Sequence, residues 1–204
     1  MGVTLQKDFQ MEQNLENEKP RVDRAKKMML WFGMISLSMS FAGLTSSYIV
    51  SKERVDWLPD FQLPQAFYIS LLVIMLSSVT FFLAKKSVLA QEHKKGLVLL
   101  VITFILGLVF IGLQFKGFSE IIETFGFNPT GPTSNITFTF IYLIAFLHIV
   151  HVIAALISVL VVIYNHYKQR YTPGNTVGIE IAATFWHFVD VLWIFLFLFF
   201  YFVR

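Results

Sequence analysis

Apolar residues fall into five long runs along the chain, roughly Met28–Val50, Gln65–Ala84, Gly96–Phe115, Phe138–Tyr164 and Ile179–Val203. Crossing the hydrocarbon of a bilayer as a helix takes about 20 mostly apolar residues, and each run is of that length. None alternates strictly between apolar and polar, and each is about twice as long as a barrel strand. The pattern predicts an all-α integral membrane protein, a bundle of five transmembrane helices spanning residues 28–204, with all backbone groups bonded within each span. Residues 1–27 mix Lys, Glu, Gln and Asn with few apolar positions and read as a polar, solvated cytoplasmic tail. That mixed-charge start does not have the form of a secretory signal, so the first span is expected to be retained.

Composition supports the membrane reading. Hydrophobic residues make up 56% and charged residues 14% of the 204, too little polar surface to solvate a globule of this size. The absence of Cys removes disulfides, iron–sulfur clusters and thiolate chemistry together. Charge position predicts topology: eleven Lys and Arg flank the first span, the second connection and the fourth connection, against four at the other ends. Basic residues stay cytoplasmic, so the N terminus is expected in the cytoplasm and the C terminus outside. The net charge of +3 reflects that asymmetry, and there is no clustered basic face to bind nucleic acid.

Between spans, Trp57, Pro59 and Pro64 mark an outer loop, with Trp57 as an interfacial anchor. Lys116–Thr137 reads as the longest connection, with turn chemistry in "NPTGPTSN" and a glycosylation-type triplet at Asn135–Thr137. Gly33, Gly43, Gly107 and Gly112 are expected at close helix contacts. No repeat and no mirrored halves occur, which weighs against a transporter built from inverted repeats.

The polar residues inside the spans carry the candidate chemistry. Asp190 lies well inside the fifth span, Glu180 at its start, and His148 and His151 three apart on the fourth. Counted at about 1.5 Å per residue from the span ends, Asp190 is about 17 Å deep and His151 about 20 Å, so the two could meet across spans four and five. Glu180, Thr184 and His187 form one stripe of the fifth helix, and Trp186, Asp190 and Trp193 the next. Three roles compete for this wedge: a hydrogen-bonded lock between spans four and five, a proton relay, and metal or haem ligation. His148 and His151 on one face do not supply the opposed axial pair that a haem needs. His93 and His166 read as solvated surface residues.

The segment "FWHFVDVLWIFLF", Phe185–Phe197, resembles the terminal-helix signature of subunit III of the haem-copper oxygen reductases, with Trp186, His187, Phe188, Asp190 and Trp193 as its defining positions. "GIEIAATFWHFVDVLW" follows the approach to that signature, and "FLHIVHV" resembles the two-histidine stretch one helix earlier. "LPQAFYISLLVIMLSSVTFFLAKK" and "FAGLTSSYIV" are similar to the second span and the end of the first in the short, five-helix bacterial form. The resemblance implies a chain without catalytic residues, metal or haem, in the bacterial cytoplasmic membrane. It would pack on the catalytic subunit I, with subunit II and other respiratory subunits nearby. It would bind phospholipid, support proton uptake and protect the oxidase during turnover, and the haem and copper would lie in the partner subunits. His148, His151, Glu180, Thr184, His187 and Asp190 would be its structural polar core. The family commonly carries a Glu in the helix matching span one, whereas here no carboxylate lies between Asp23 and Glu53, and Leu37 or a neighbour takes the place. A quinol oxidase or nitric oxide reductase accessory chain is the nearest alternative, and a small proton-coupled transporter the alternative from another class.

Overall fold

The computed structural model describes residues 2–58, 62–126, 131, 134–171 and 176–203, with side chains described at 18 and from 20 onward within those ranges. The described residues form helices and no strand. In order these are α1 (Gly2–Ser51), α2 (Gln65–Leu89), α3 (His93–Phe125), α4 (Ile136–Tyr167) and α5 (Val177–Phe202). All five are long and apolar enough to cross a membrane, α1 from Pro20 onward. The chain divides within α1 into two units, Met1–Ser38 and Met39–Arg204.

Two boundaries differ from those read in the sequence. Residues 2–27 are helical and continuous with the first span, with Pro20 inside the helix. Lys, Glu and Gln are good helix formers, so polarity alone does not end a helix. The connection expected at Lys116–Thr137 is shorter, because α3 continues to Phe125. The reason is visible in its buried positions, Gly96, Leu100, Thr103, Gly107, Phe110, Gln114, Gly117 and Ile121. They step by three and four without a break through the polar residues that end the apolar run. Pro59 and most of "NPTGPTSN" lie outside the described residues.

Helix α2 carries the matching stripe, Phe67, Ser70, Ile74, Ser77, Phe81, Ala84 and Val88, and forms an antiparallel hairpin with α3. Within the second unit α2 meets α3, α3 meets α4, α4 meets α5 and α5 returns to α2, which closes a four-helix ring. In lipid no hydrophobic force drives helices together, so small residues and polar contacts must do it. Gly117 receives the Phe67 ring. At Gly107 an added Cβ would lie 2.7 Å from Leu156 Cδ2 and 2.8 Å from Trp186 Cη2, whereas at Gly33, Gly43 and Gly112 it would meet nothing within 4 Å. Of the four glycines read as packing positions, Gly107 is one in fact. The α1 segment from Met39 onward buries Phe41, Thr45 and Tyr48, with the Tyr48 ring 4.8 Å from Trp57 and 5.2 Å from Phe199.

The Asn135–Thr137 triplet is structural. Asn135 caps α4 by accepting from Thr137 N and donates through Nδ2 to Asp56 O, while the buried Thr137 hydroxyl accepts from Leu58 N at 3.0 Å. The neighbouring Arg54 guanidinium hydrogen-bonds Asp56 and holds its carboxyl below the usual range.

Helix ends show one departure from preference. α3 stops at Gly126 with φ 70°, whereas α2 and α4 are followed by Gln91 (φ 61°) and Gln169 (φ 54°). In both, the residue after the Gln bonds back five positions, Glu92 N to Ser87 O and Arg170 N to Asn165 O, which is the turn that favours glycine. A side chain in this left-handed region costs about 1 kcal/mol. Gln169→Gly is therefore expected to raise the unfolding temperature of the purified protein. Gln91→Gly should gain less, because Gln91 Nε2 reaches Tyr171 O at 3.5 Å.

Candidate functional site

The interior of the ring is built in layers along α5. One layer is Trp193, with Phe67 at 5.7 Å from α2, Phe110 at 5.4 Å from α3 and His148 stacked at 5.1 Å and 26° from α4. About two turns away, Trp186 meets Phe81 edge-on at 5.9 Å, beside the notch left by Gly107. Between these tryptophans α5 presents Asp190, which is 3% exposed.

One hydrogen bond of this wedge runs to α2. The Ser78 hydroxyl and His187 Nδ1 are 2.7 Å apart. A hydroxyl has one hydrogen and two lone pairs. The Ser78 hydroxyl can therefore donate to Nδ1 in one imidazole tautomer and accept from Nδ1–H in the other. Asp190 Oδ2 has no partner among the described residues.

The sequence had placed the partner of Asp190 on span four, at His151. Instead, His151 donates from Nδ1 to Leu147 O of its own helix at 2.7 Å, and its ring sits 5.9 Å from Phe41. His148 is enclosed by Phe41, Phe110 and Trp193, and neither ring nitrogen has a hydrogen-bond partner among the described residues. Its tie to α5 is a ring stack. Glu180 and Thr184 serve the start of α5: Thr176 Oγ1 donates to Glu180 Oε1 at 2.9 Å, and Thr184 Oγ1 donates to Glu180 O at 2.8 Å. Phe188 is half-buried on the same helix. The structure thus joins His187 to Ser78 of α2, and separately His148 to Trp193. It leaves His151 and Glu180 in local bonds.

Depth could not have chosen between neighbours, since every helix passes through the middle of the membrane. Ser78, about 17 Å from the end of α2 at 1.5 Å per residue, is level with Asp190, and the pair Ser77–Ser78 was the signal available. Other small polar residues tie the α2–α3 hairpin: Gln114 Nε2 donates to Ser70 Oγ at 3.0 Å, and the Thr80 and Thr103 hydroxyls are 2.9 Å apart. His166 is a further correction. Expected at the surface, it is 3% exposed and donates from Nε2 to His93 O at 3.0 Å.

These groups do not converge as a metal site: among the described residues no three or more of His, Asp and Glu lie together in a way that could hold an ion. The family model described as cytochrome c oxidase subunit III matches residues 7–204. The chain belongs to the cytochrome c oxidase subunit III family. Among its relatives, subunit 3 of the cytochrome bo(3) ubiquinol oxidase of Buchnera aphidicola is 30% identical, covering 89% of this chain and 88% of the relative. Cytochrome c oxidase subunit 3 of Bacillus sp. (strain PS3) is 28% identical over 84% and 83% respectively. The elephant (Loxodonta africana) subunit 3 is 34% identical over 62% of this chain but only 46% of its own length. As a member of the subunit III family with five membrane-crossing helices, the chain is a multi-pass membrane protein and a component of an oxidase complex.

Proposed function

We propose that this chain is subunit III of a proton-pumping bacterial terminal oxidase, with no redox centre of its own, which holds the catalytic subunit in its active form. The observation that carries the reading is the match over nearly the whole chain to the subunit III family, with bacterial relatives of nearly equal span. The interior fits a structural role. His148 stacks on Trp193, His187 bonds to Ser78 of the neighbouring helix, and His151 bonds to its own backbone. Haem and copper belong, in this reading, to the partners: catalytic subunit I, subunit II and the other respiratory subunits. Phospholipid fills the exposed apolar faces, and the chain supports proton uptake by keeping subunit I intact. The distribution of basic residues supports a cytoplasmic N terminus in the inner membrane.

The electron donor has two readings. Cytochrome c is the first, and quinol is favoured by the ubiquinol oxidase relatives from Buchnera aphidicola and from Pseudomonas aeruginosa, the latter 27% identical over 80% of this chain. Purification through a tag on this chain in mild detergent tests the whole proposal. The expected result is co-purification of a haem-bearing multi-span subunit, with oxygen uptake supported by either reduced cytochrome c or quinol. A colourless chain that comes down alone would overturn it.

A further inference from the structure

The turn from α2 into α3 and the last turn of α4 enclose a cavity of about 210 Å³ lined by His93, Lys94, Leu97, His166, Tyr167 and Gln169. It gathers the two histidines that the wedge between the spans does not use. They are 73 positions apart in the chain, yet their rings face each other with centres 5.6 Å apart and planes at 31°. His166 is held from two sides. Its Nε2–H donates to His93 O at 3.0 Å, and Gly96 makes room for the ring, since a Cβ there would lie 3.1 Å from Nε2 and 3.4 Å from Cε1. The His93 side chain is exposed on the first turn of α3.

The bond to His93 O sets the chemistry of His166. A neutral imidazole with its hydrogen on Nε2 carries a bare lone pair on Nδ1. An imidazole that ligates a metal characteristically donates its other nitrogen to a carbonyl or carboxylate in this way. Distance agrees. Two imidazoles on one tetrahedral ion, with Zn–N bonds of about 2.0–2.1 Å, place their ring centres about 5.2 Å apart, against 5.6 Å here. We propose that His93 and His166 bind a divalent ion of the zinc class, which clamps the start of α3 to the end of α4. The Gln169 carboxamide oxygen and water complete the coordination, because no third histidine or carboxylate joins the pair among the described residues. Imidazole ligands without carboxylates disfavour Mg²⁺ and Ca²⁺, which take oxygen ligands. Lys94 lines the same space, and its ammonium opposes the ion. The site is built at the ends of α3 and α4 alone and does not depend on the oxidase reading.

The test uses the full chain, purified in detergent through a tag that contains no histidine, stripped with a chelator and titrated with Zn²⁺ by equilibrium dialysis. One Zn²⁺ per chain is expected, with a rise in unfolding temperature that Mg²⁺ does not produce. His93→Ala removes one ligand but keeps the backbone carbonyl that holds His166. It is expected to raise the half-saturating Zn²⁺ concentration about a hundredfold, no less than loss of a supporting hydrogen bond costs such a site. Lys94→Ala, which removes the opposing charge, should lower it. Without Zn²⁺ both variants should unfold at the temperature of the unaltered chain, which separates lost ligation from lost structure. Zn²⁺ binding that is absent from the unaltered chain, or unchanged in His93→Ala, overturns the site. Weaker binding in Lys94→Ala overturns it as well.

Discussion

Gly107→Leu is expected to prevent the subunit from being recovered with its oxidase. Even a methyl group at Gly107 would lie 2.7 Å from Leu156 Cδ2 and 2.8 Å from Trp186 Cη2. Alanine could be admitted by swinging the end of Leu156. Leucine could not, because Trp186 is fully buried against Phe81 and has nowhere to turn. Relief would require α3 to part from α4 and α5, and overpacking of this kind costs about 1–3 kcal/mol or more. Gly112→Leu is the matched control. It adds the same side chain to the same helix at a position with open space around it, and should assemble normally. The measurement is the amount of tagged subunit that co-purifies with the haem-bearing partner, and its unfolding temperature. Equal losses in the two variants would contradict the packing described.

Asp190 separates the structural role from a proton relay. In Asp190→Asn the side chain keeps its shape, but it can no longer release and rebind a proton. A relay through this carboxyl predicts a loss of initial turnover of about a hundredfold or more, the scale on which acid–base groups contribute. The structural account predicts an initial rate close to that of the unaltered complex, with a shortened active lifetime and weaker retention of the subunit. Asp190→Leu goes further: it puts a branched apolar side chain of a different shape into the buried position between Trp186 and Trp193, at about 1–3 kcal/mol for misfit packing. The expected order of thermal stability is unaltered, Asn, then Leu. A collapse of the initial rate in the Asn variant, with haem content unchanged, would establish the relay.

The five helices were legible because span length and lack of alternation are properties of the chain alone. Their ends were not, since Lys116–Phe125 is polar enough to look like a loop, and only the continued spacing of Gly117 and Ile121 keeps it helical. Residues 2–27 show the same limit in reverse, polar in composition and helical in conformation. The wedge on α5 was legible as a set of positions. Its partner was not, because depth is shared by all neighbours and a serine in a span carries little signal beside a histidine. His166 was missed because its burial depends on Gly96 of another helix, a contact that spacing within one helix does not report.

The central claim is that this chain sustains an oxidase without taking part in its chemistry. The most direct measurement is the time course of oxygen consumption by the oxidase purified with this chain and by the oxidase purified from cells lacking it, matched for haem content. The account predicts equal initial rates and a much faster decline of activity in the second preparation. An initial rate that is lost outright when the chain is missing, with the haem spectrum unaltered, would contradict it.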